Sequence, residues 1–191
     1  MTPLSIVPSS TALILIDLQN AIAGRELAPY SGTQVIQNGR RLANAFRQAG
    51  AMVVFVHVNI GEIASPLADA PGRAPGAPPL PASAMELVPE SGFQPGDVLI
   101  TKKQWGAFYG TDLDQRLRRR KIATIVLGGI ATNFGVESTA RDAYERSFEQ
   151  IFVEDAMTSV TAEAHAFSIR TVLPRIGRIR TTEEVLAALP S

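Results

Sequence analysis

The stretch Ala12-Leu13-Ile14-Leu15-Ile16 is an unbroken run of apolar residues that ends at a carboxylate, Asp17. A strand with one solvated face alternates apolar and polar residues, whereas a strand covered on both faces is apolar throughout. Further short apolar runs occupy residues 52–58, 98–100, 122–127 and 151–153. These runs predict buried strands of a mostly parallel sheet, and a short sixth strand is expected near residues 177–180.

Helical patterns lie between the predicted strands. Apolar residues recur near a 3.6-residue period in two segments, at Val35, Leu42, Phe46 and Ala49 and at Val136, Ala140, Ala143 and Tyr144. Alternating strands and helices are typical of an α/β fold in which helices cover both faces of the sheet. We therefore predict a three-layer sandwich around a six-stranded, mostly parallel, Rossmann-like sheet.

Size and charge limit the classes of protein to which the chain can belong. Its 191 residues suit one domain, 1–191, with a core of its own. Basic and acidic residues both number 18, so the chain lacks the positive field that drives binding to nucleic acid or anionic lipid. Its apolar runs are shorter than the ~20 residues that span a bilayer, and residues 1–10 lack the pattern of a secretory signal. We expect a cytoplasmic protein that binds neither nucleic acid nor membrane.

The chain contains no cysteine and only two histidines, His57 and His165. Without cysteine, thiolate metal ligands and thiol catalysis are excluded. Neither histidine has a second histidine at ligand spacing. We therefore predict no metal site and no cofactor.

Residues 61–96 interrupt the alternation of strands and helices. Eight of the chain's 13 prolines lie here, and no strong periodicity remains. A long irregular segment in a compact domain is commonly a lid or a partner-binding arm and less often a linker. We predict a proline-rich excursion from a single domain, and we expect it to determine substrate specificity.

In open parallel sheets, ligands bind beyond the carboxyl ends of the strands. At the end of the first strand, Asp17 is costly to bury without partners. Two interpretations stay open for this residue. Asp17 either braces the following turn or acts as a partly desolvated general acid or base with a raised pKa.

Two lysines, Lys102 and Lys103, follow the third predicted strand and precede Trp105 and Phe108. We expect at least one of the two ammonium groups at the rim of the site. Most lysines are simply solvated, but one that faces a strand-end carboxylate can hold an anion or set the protonation of that carboxylate.

Residues 128–135 connect the fourth strand with the next helix. Thr132 or Asn133 is a candidate cap for that helix. The free N–H groups at a helix start can bind a carboxylate or a developing oxyanion. The glycines in this segment can equally serve only tight turns and close packing.

Together, these strand ends resemble the isochorismatase-like hydrolase family, which includes nicotinamidases, N-carbamoylsarcosine amidases and isochorismatases. The resemblance is carried by Leu15-Ile16-Asp17-Leu18-Gln19, by Lys102-Lys103-Gln104-Trp105-Gly106-Ala107-Phe108-Tyr109-Gly110-Thr111 and by Gly129-Ile130-Ala131-Thr132-Asn133-Phe134-Gly135-Val136-Glu137-Ser138-Thr139-Ala140-Arg141-Asp142-Ala143. It continues through Glu154-Asp155-Ala156 and covers nearly the whole chain outside the excursion. In detail the chain looks closest to bacterial members that have glycine at the nucleophile position.

The resemblance implies a site and an assembly. Asp17 and Lys102 match the family's catalytic aspartate and lysine, and Gly135 stands at the position of its cysteine nucleophile. The positions expected to contact a small-molecule substrate are Ala131, Gln19, Asn59, Trp105, Phe108 and Phe134. The resemblance also implies a cis peptide bond just before Ala131 and a homo-oligomer, either a dimer or a tetramer.

Gly135 is the departure that decides the mechanism, because a residue without a side chain cannot form the covalent intermediate of the family's thiol amidases. Isochorismatases cleave a vinyl ether by acid-catalysed hydration without a thiol, and transferred to this chain that route makes Asp17 the proton donor and Lys102 the partner of a substrate carboxylate. Isochorismatases tend to have tyrosine where Ala131 stands, which argues against isochorismate itself. Two hypotheses remain: a hydrolase of a small, anionic molecule, and an inactive family member that binds a small molecule or assembles.

Overall fold

The computed structural model describes residues 4–63, 67–72 and 76–190. Six strands form one sheet in the order β3-β2-β1-β4-β5-β6, and every neighbouring pair is parallel. The strands are β1 Thr11–Ile16, β2 Met52–Val58, β3 Val98–Lys102, β4 Thr124–Ile130, β5 Glu149–Thr158 and β6 Arg178–Arg180. The predicted six-stranded sheet is therefore confirmed, and it is wholly parallel.

Six α-helices accompany the sheet in the described part of the chain. They are α1 Asn20–Ala23, α2 Gly32–Gln48, α3 Leu113–Arg119, α4 Glu137–Glu145, α5 Ala162–Phe167 and α6 Thr182–Ala187. The long helix α2 begins with a capping box, in which the Ser31 hydroxyl accepts from the Gln34 backbone N–H and the Gln34 side chain accepts from Ser31 N–H. Capping of this kind satisfies N–H groups that the first turn leaves free. None of the helices in the described residues is long and apolar enough to cross a bilayer.

The side chains of β1 divide between two apolar cores because alternate residues of a strand point to opposite faces. Leu13 and Leu15 pack with Leu42 and Phe46 of α2 on one face of the sheet. Ala12, Ile14 and Ile16 pack on the other face, where the core includes Ala140 and Ala143 of α4. This division is the predicted three-layer arrangement.

Three details differ from the sequence prediction. The third strand is not fully buried, because β3 is an edge strand and Leu99 is 42% exposed. The fourth and fifth strands extend beyond their apolar runs, as far as Ile130 and Thr158. Tyr144 was predicted on the apolar face of its helix, but its side chain is exposed.

The predicted excursion is partly packed against the rest of the protein. Its described residues include 3₁₀ turns at Ala82–Met85 and Pro89–Ser91. Val88 is buried, and its N–H donates to Leu18 O over 2.9 Å directly after β1. Residues 64–66 and 73–75, which belong to the same prediction, lie outside the described residues.

Candidate active site

Three segments meet at the carboxyl edge of the sheet. Asp17 directly follows β1, Lys102 is the last residue of β3, and Gly135 lies in a π-helical turn, Thr132–Val136, after β4. Nζ of Lys102 lies 2.8 Å from Oδ2 of Asp17. The fold therefore brings together the three residues for which the sequence predicts catalytic positions.

Asp17 is held in an unusual environment. It is buried, and its φ of 53° lies in the left-handed region that residues with a side chain seldom adopt. Its N–H donates to Val56 O over 2.8 Å, and its Oδ1 is buried without a hydrogen-bond partner among the described residues. Strained backbone and unpaired buried polar atoms are both more common at functional sites than elsewhere.

Burial and charge act in opposite directions on the proton affinity of Asp17. Burial raises the pKa of Asp17 from 3.8 to about 6, although the charge and hydrogen bond of Lys102 and the charge of His57 lower it. Burial prevails because the unpaired Oδ1 receives no compensation for the water it has lost. Asp17 can consequently exchange a proton close to neutral pH.

Lys102 does not lie at the rim of the site. Its side chain is 1% exposed, and its ammonium also donates to Trp105 O over 2.6 Å. The ammonium is thus held between the Asp17 carboxylate and the loop that follows β3. The neighbouring Lys103 is the exposed lysine, and it pairs with Glu62.

Gly135 faces the Asp17–Lys102 pair. A Cβ atom at position 135 would lie 3.0 Å from Nζ of Lys102 and 3.3 Å from Oδ2 of Asp17. It would also lie 3.0 Å from Cγ2 of Ile16. A side chain at this position would therefore crowd both charged groups, and glycine avoids that crowding.

The turn that carries Gly135 begins after a cis peptide bond between Ile130 and Ala131, as the family resemblance implies. Neither Thr132 nor Asn133 caps the following helix, contrary to the sequence prediction. The Thr132 hydroxyl pairs with His165, and the Asn133 side chain accepts from the Ser159 hydroxyl. These tertiary contacts use the oxygen atoms that a cap would need.

Thr139, which the sequence prediction missed, connects two of the converging segments. Its hydroxyl donates to Gly135 O over 2.7 Å and accepts from Ala107 N–H over 3.1 Å. The turn after β4 and the loop after β3 are therefore joined through one buried side chain. Its position one helical turn after Gly135 is the only signal of this role in the sequence.

Two predicted contact residues form an exposed aromatic pair beside the site. The rings of Trp105 and Phe134 meet edge to face with their centroids 4.9 Å apart, and the two residues are 56% and 38% exposed. Because Trp105 follows Lys102 closely and Phe134 precedes Gly135, the pair belongs to the same two segments. Ala131, another predicted contact, is half-buried at the start of the turn.

Other predicted contact residues have structural partners. The side-chain amide of Gln19 donates to Val58 O and accepts from Val58 N–H, so this side chain holds the end of β2. Phe108 is buried in the core and stacks on Phe148 at 6.0 Å. The side chain of Asn59 donates to Glu62 over 2.6 Å. Substrate contact by these three residues stays a prediction.

Both ring nitrogens of His57 have hydrogen-bond partners within the protein. Its ring nitrogens lie 2.8 Å from Met85 O and 2.7 Å from the Thr101 hydroxyl. Within residues 4–63, 67–72 and 76–190, no three His, Cys, Asp or Glu side chains group in a way that could hold a metal ion.

Comparison with known proteins places this fold and site in a family. The isochorismatase domain model matches residues 11–184. Isochorismatase family protein YwoC of Bacillus subtilis (strain 168) is 48% identical over 97% of either chain. The ureidoacrylate amidohydrolase RutB of Stutzerimonas stutzeri (strain A1501) is 33% identical, over 98% of this chain and 87% of that protein.

A solved structure extends the similarity to three dimensions. The isochorismatase family protein of Burkholderia thailandensis superposes with a TM-score of 0.91 at 41% identity, and the match covers the whole of both chains. The family model, the relatives and the solved structure agree, and the chain belongs to the isochorismatase family of hydrolases.

Proposed function

We propose that this protein hydrolyses a small, anionic molecule by proton transfer from Asp17, without a covalent bond between substrate and protein. The observation that carries the proposal is the buried ion pair of Asp17 and Lys102, in which Oδ1 of Asp17 has no hydrogen-bond partner among the described residues. Gly135 lies against this pair without a side chain of its own. The absence of cysteine from the sequence rules out the thiol route.

The geometry favours one oxygen of Asp17 as the proton carrier. Oδ2 accepts from Lys102, so its lone pair is engaged, whereas Oδ1 is buried and unpaired. Oδ1 is therefore the oxygen that can take up a proton without the loss of an existing hydrogen bond. With a pKa of about 6, part of the protein carries this proton at neutral pH, which is the condition for an efficient general acid.

A vinyl ether that carries a carboxylate fits such an acid. Asp17 would give its proton to the terminal carbon of the double bond, and water would add to the resulting oxocarbenium ion. The hemiketal then breaks its carbon–oxygen bond, releasing an alcohol and pyruvate, while Asp17 regains a proton from the attacking water. One water is consumed, and no oxidant or cofactor is required.

The name of the amidohydrolase relatives supports this substrate class. An acrylate, like a vinyl ether of pyruvate, combines a carbon–carbon double bond with a carboxylate, and RutB is named for ureidoacrylate. Asp17 and Trp105 O already take two of the three N–H groups of the Lys102 ammonium, so the substrate carboxylate needs a further donor. The exposed Lys103 is one candidate, and the aromatic pair Trp105–Phe134 offers an apolar surface for the rest of the molecule.

The direct test is pyruvate release from isochorismate and from the minimal vinyl ether 2-ethoxyacrylate, measured from pH 5 to pH 8. The proposal predicts release that declines above about pH 6 as Asp17 loses its proton. Asp17→Asn, prepared in parallel, should abolish release. Equal release from both proteins would exclude Asp17 as the acid.

The close approach of Gly135 has its own test. Gly135→Ala would place a Cβ 3.0 Å from Nζ of Lys102 and 3.3 Å from Oδ2 of Asp17, so it should displace the ion pair and slow turnover strongly. Gly106→Ala is the matched control, because a Cβ there makes ordinary contact, 3.4 Å from Oδ2 of Asp142. Equal rates in the two variants would show that turnover does not depend on the close contact between Gly135 and the ion pair.

The second candidate function is binding without turnover, and the glycine at the nucleophile position favours it. Gly135 has no side chain that could attack a bound molecule. This alternative predicts that small carboxylates raise the melting temperature, as any ligand of the folded state does, and that no product forms. Turnover that Asp17→Asn removes would exclude it.

A further inference from the structure

A second polar group lies next to the turn that carries Gly135, and the proposed mechanism does not use it. Thr132, the first residue of that turn, is fully buried, and its hydroxyl oxygen lies 2.8 Å from Nδ1 of His165. His165 belongs to α5 and is 3% exposed. The contact joins the turn after β4 to a helix distant in the sequence.

The far side of the His165 ring faces a carboxylate. Its Nε2 is buried without a hydrogen-bond partner among the described residues, and Oε1 of Glu154 lies 3.7 Å away. The same oxygen accepts from the Tyr30 hydroxyl over 2.8 Å. The Tyr30 ring meets the His165 ring edge-on, with centroids 5.9 Å apart, so the imidazole is fixed from two sides.

These contacts determine which ring nitrogen carries the proton. Burial lowers the pKa of His165, although the charge of Glu154 raises it, so the ring is neutral and has a single N–H. A proton on Nε2 points at the Glu154 carboxylate, whereas the other tautomer would set a lone pair against it. With the proton on Nε2, Nδ1 is an acceptor, and the Thr132 hydroxyl donates to it.

We infer that His165 is a positioning residue: by accepting a hydrogen bond from Thr132, it holds the turn that sets Gly135 against Asp17. The backbone of this turn has little space to move, because a Cβ at position 135 would lie 3.3 Å from Oδ2 of Asp17. If the turn shifts, water reaches the Asp17 carboxylate and its desolvation falls. The effect on the pKa of Asp17 is independent of the proposed function, and only an effect on turnover rests on it.

The tautomer can be measured in the unaltered protein. Long-range ¹H–¹⁵N spectra distinguish a protonated nitrogen from a bare one, and the chain has only two histidines. His57→Gln assigns the remaining signals to His165. A neutral ring with its proton on Nε2 is expected, and a proton on Nδ1 would overturn the inference because Thr132 could not then donate to that nitrogen.

The positioning role is tested by the proton affinity of Asp17, followed through its carboxyl ¹³C shift and assigned with Asp17→Asn. Thr132→Val keeps the shape of the side chain but removes the hydroxyl, so the pKa of Asp17 should fall by ~0.5 or more toward its ordinary value as desolvation weakens. Thr132→Ser keeps the hydroxyl and should retain the native value. An unchanged pKa in Thr132→Val would overturn the inference.

A further variant guards against failure of Thr132→Val to fold. His165→Asn can present an amide oxygen in the place of Nδ1, whereas His165→Phe cannot accept a hydrogen bond. We expect the Asp17 titration of His165→Asn to lie nearer to the native one than that of His165→Phe. Equal titrations in these two variants would contradict the role. A further outcome is that neither the native protein nor any variant turns over a tested substrate, while the Asp17 titrations of the variants still differ as expected. In that case the proposed function fails and the positioning role of His165 stands.

Discussion

Two ion pairs, a partly buried one at the amino end of the strands and a buried one at their carboxyl end, differ in how completely their carboxylate oxygens are hydrogen-bonded. Arg47, near the end of α2, holds Asp97, just before β3, through two hydrogen bonds of 3.1 and 2.9 Å. Oδ2 of Asp97 also accepts from Gln94 N–H over 2.8 Å. Both carboxylate oxygens of this pair are thus engaged, whereas Asp17 has one engaged oxygen and one buried oxygen without a partner.

The difference separates an ion pair that holds the fold from one that can react. A carboxylate with both oxygens paired has no vacant site for a proton or a ligand, and its backbone here has no left-handed φ. Asp17 combines an unpaired oxygen, a left-handed backbone and a raised pKa at the edge of the sheet where ligands bind. Under the proposed function, Asp17–Lys102 is therefore the reactive pair, and Arg47–Asp97, with both carboxylate oxygens engaged, is the saturated pair.

The largest expected effect comes from replacing the reactive pair as a unit. Asp17→Asn together with Lys102→Met should lower turnover by ~10² or more, the usual contribution of a general acid. Stability should change little, because both charges are removed together and neither is left buried without its partner. Turnover assays and urea unfolding check the two parts. A double variant that is fully active would refute the distinction between the pairs.

Breaking the saturated pair should have the opposite result. Arg47→Met leaves the carboxylate of Asp97, a side chain that is 4% exposed, without the guanidinium that it binds. We expect the free energy of unfolding to fall by about 3 kcal/mol. Turnover per folded molecule should stay unchanged. Arg41→Met is the control: it breaks an exposed pair with Glu183, and such pairs contribute less than ~1 kcal/mol. Equal losses of stability in the two variants would contradict this account.

Part of the Asp17–Lys102 site could be predicted from the sequence. The apolar run before Asp17 predicted both a buried strand and its end, because burial on two faces leaves an unbroken pattern. The same reasoning misjudged Leu99, since a local pattern does not reveal that β3 lies at the edge of the sheet. It also did not reveal which of Lys102 and Lys103 is buried, because the burial of Lys102 depends on Asp17 and on a backbone carbonyl.

The supporting contacts around the site were not predictable from local sequence. Thr132 resembled a helix cap because threonine commonly has that role. Its actual partner, His165, lies 33 residues further along the chain, in a helix that only the folded structure brings close. Thr139 likewise joins segments whose proximity depends on the order of the strands.

The stability of the protein should depend on pH through the protonation of Asp17. The pKa of Asp17 is higher in the folded protein, about 6, than its unperturbed value of 3.8, so the folded state binds the proton more tightly. Its contribution to stability is therefore complete below about pH 4 and is lost as pH rises through about 6, with a total of about 3 kcal/mol. Urea unfolding from pH 4 to pH 7 measures this loss.

Two variants test the origin of this pH dependence. In Asp17→Asn the pH-dependent loss should shrink by the contribution of Asp17, whatever the stability of the variant at any one pH. In Lys102→Met the pKa of Asp17 should rise above about 6, because the charge and hydrogen bond that lower it are gone, and the loss should move to higher pH. If the free energy of unfolding of Asp17→Asn depends on pH as steeply as that of the native protein, the loss of stability comes from another titratable group.

The smallest expected effect tests whether the reactive pair has a substrate-binding surface that the saturated pair lacks. Trp105→Ala removes the ring that meets Phe134, and an aromatic contact contributes ~0.5–1.5 kcal/mol beyond its buried area. KM should rise about 2- to 10-fold while kcat changes little, because Lys102 bonds the backbone carbonyl of residue 105 and not its side chain. Tyr109→Ala, which removes an exposed aromatic side chain of the same loop, is the matched control and should leave KM unchanged. A fall in kcat for Trp105→Ala without a change in KM would instead place the indole in support of the Asp17–Lys102 pair.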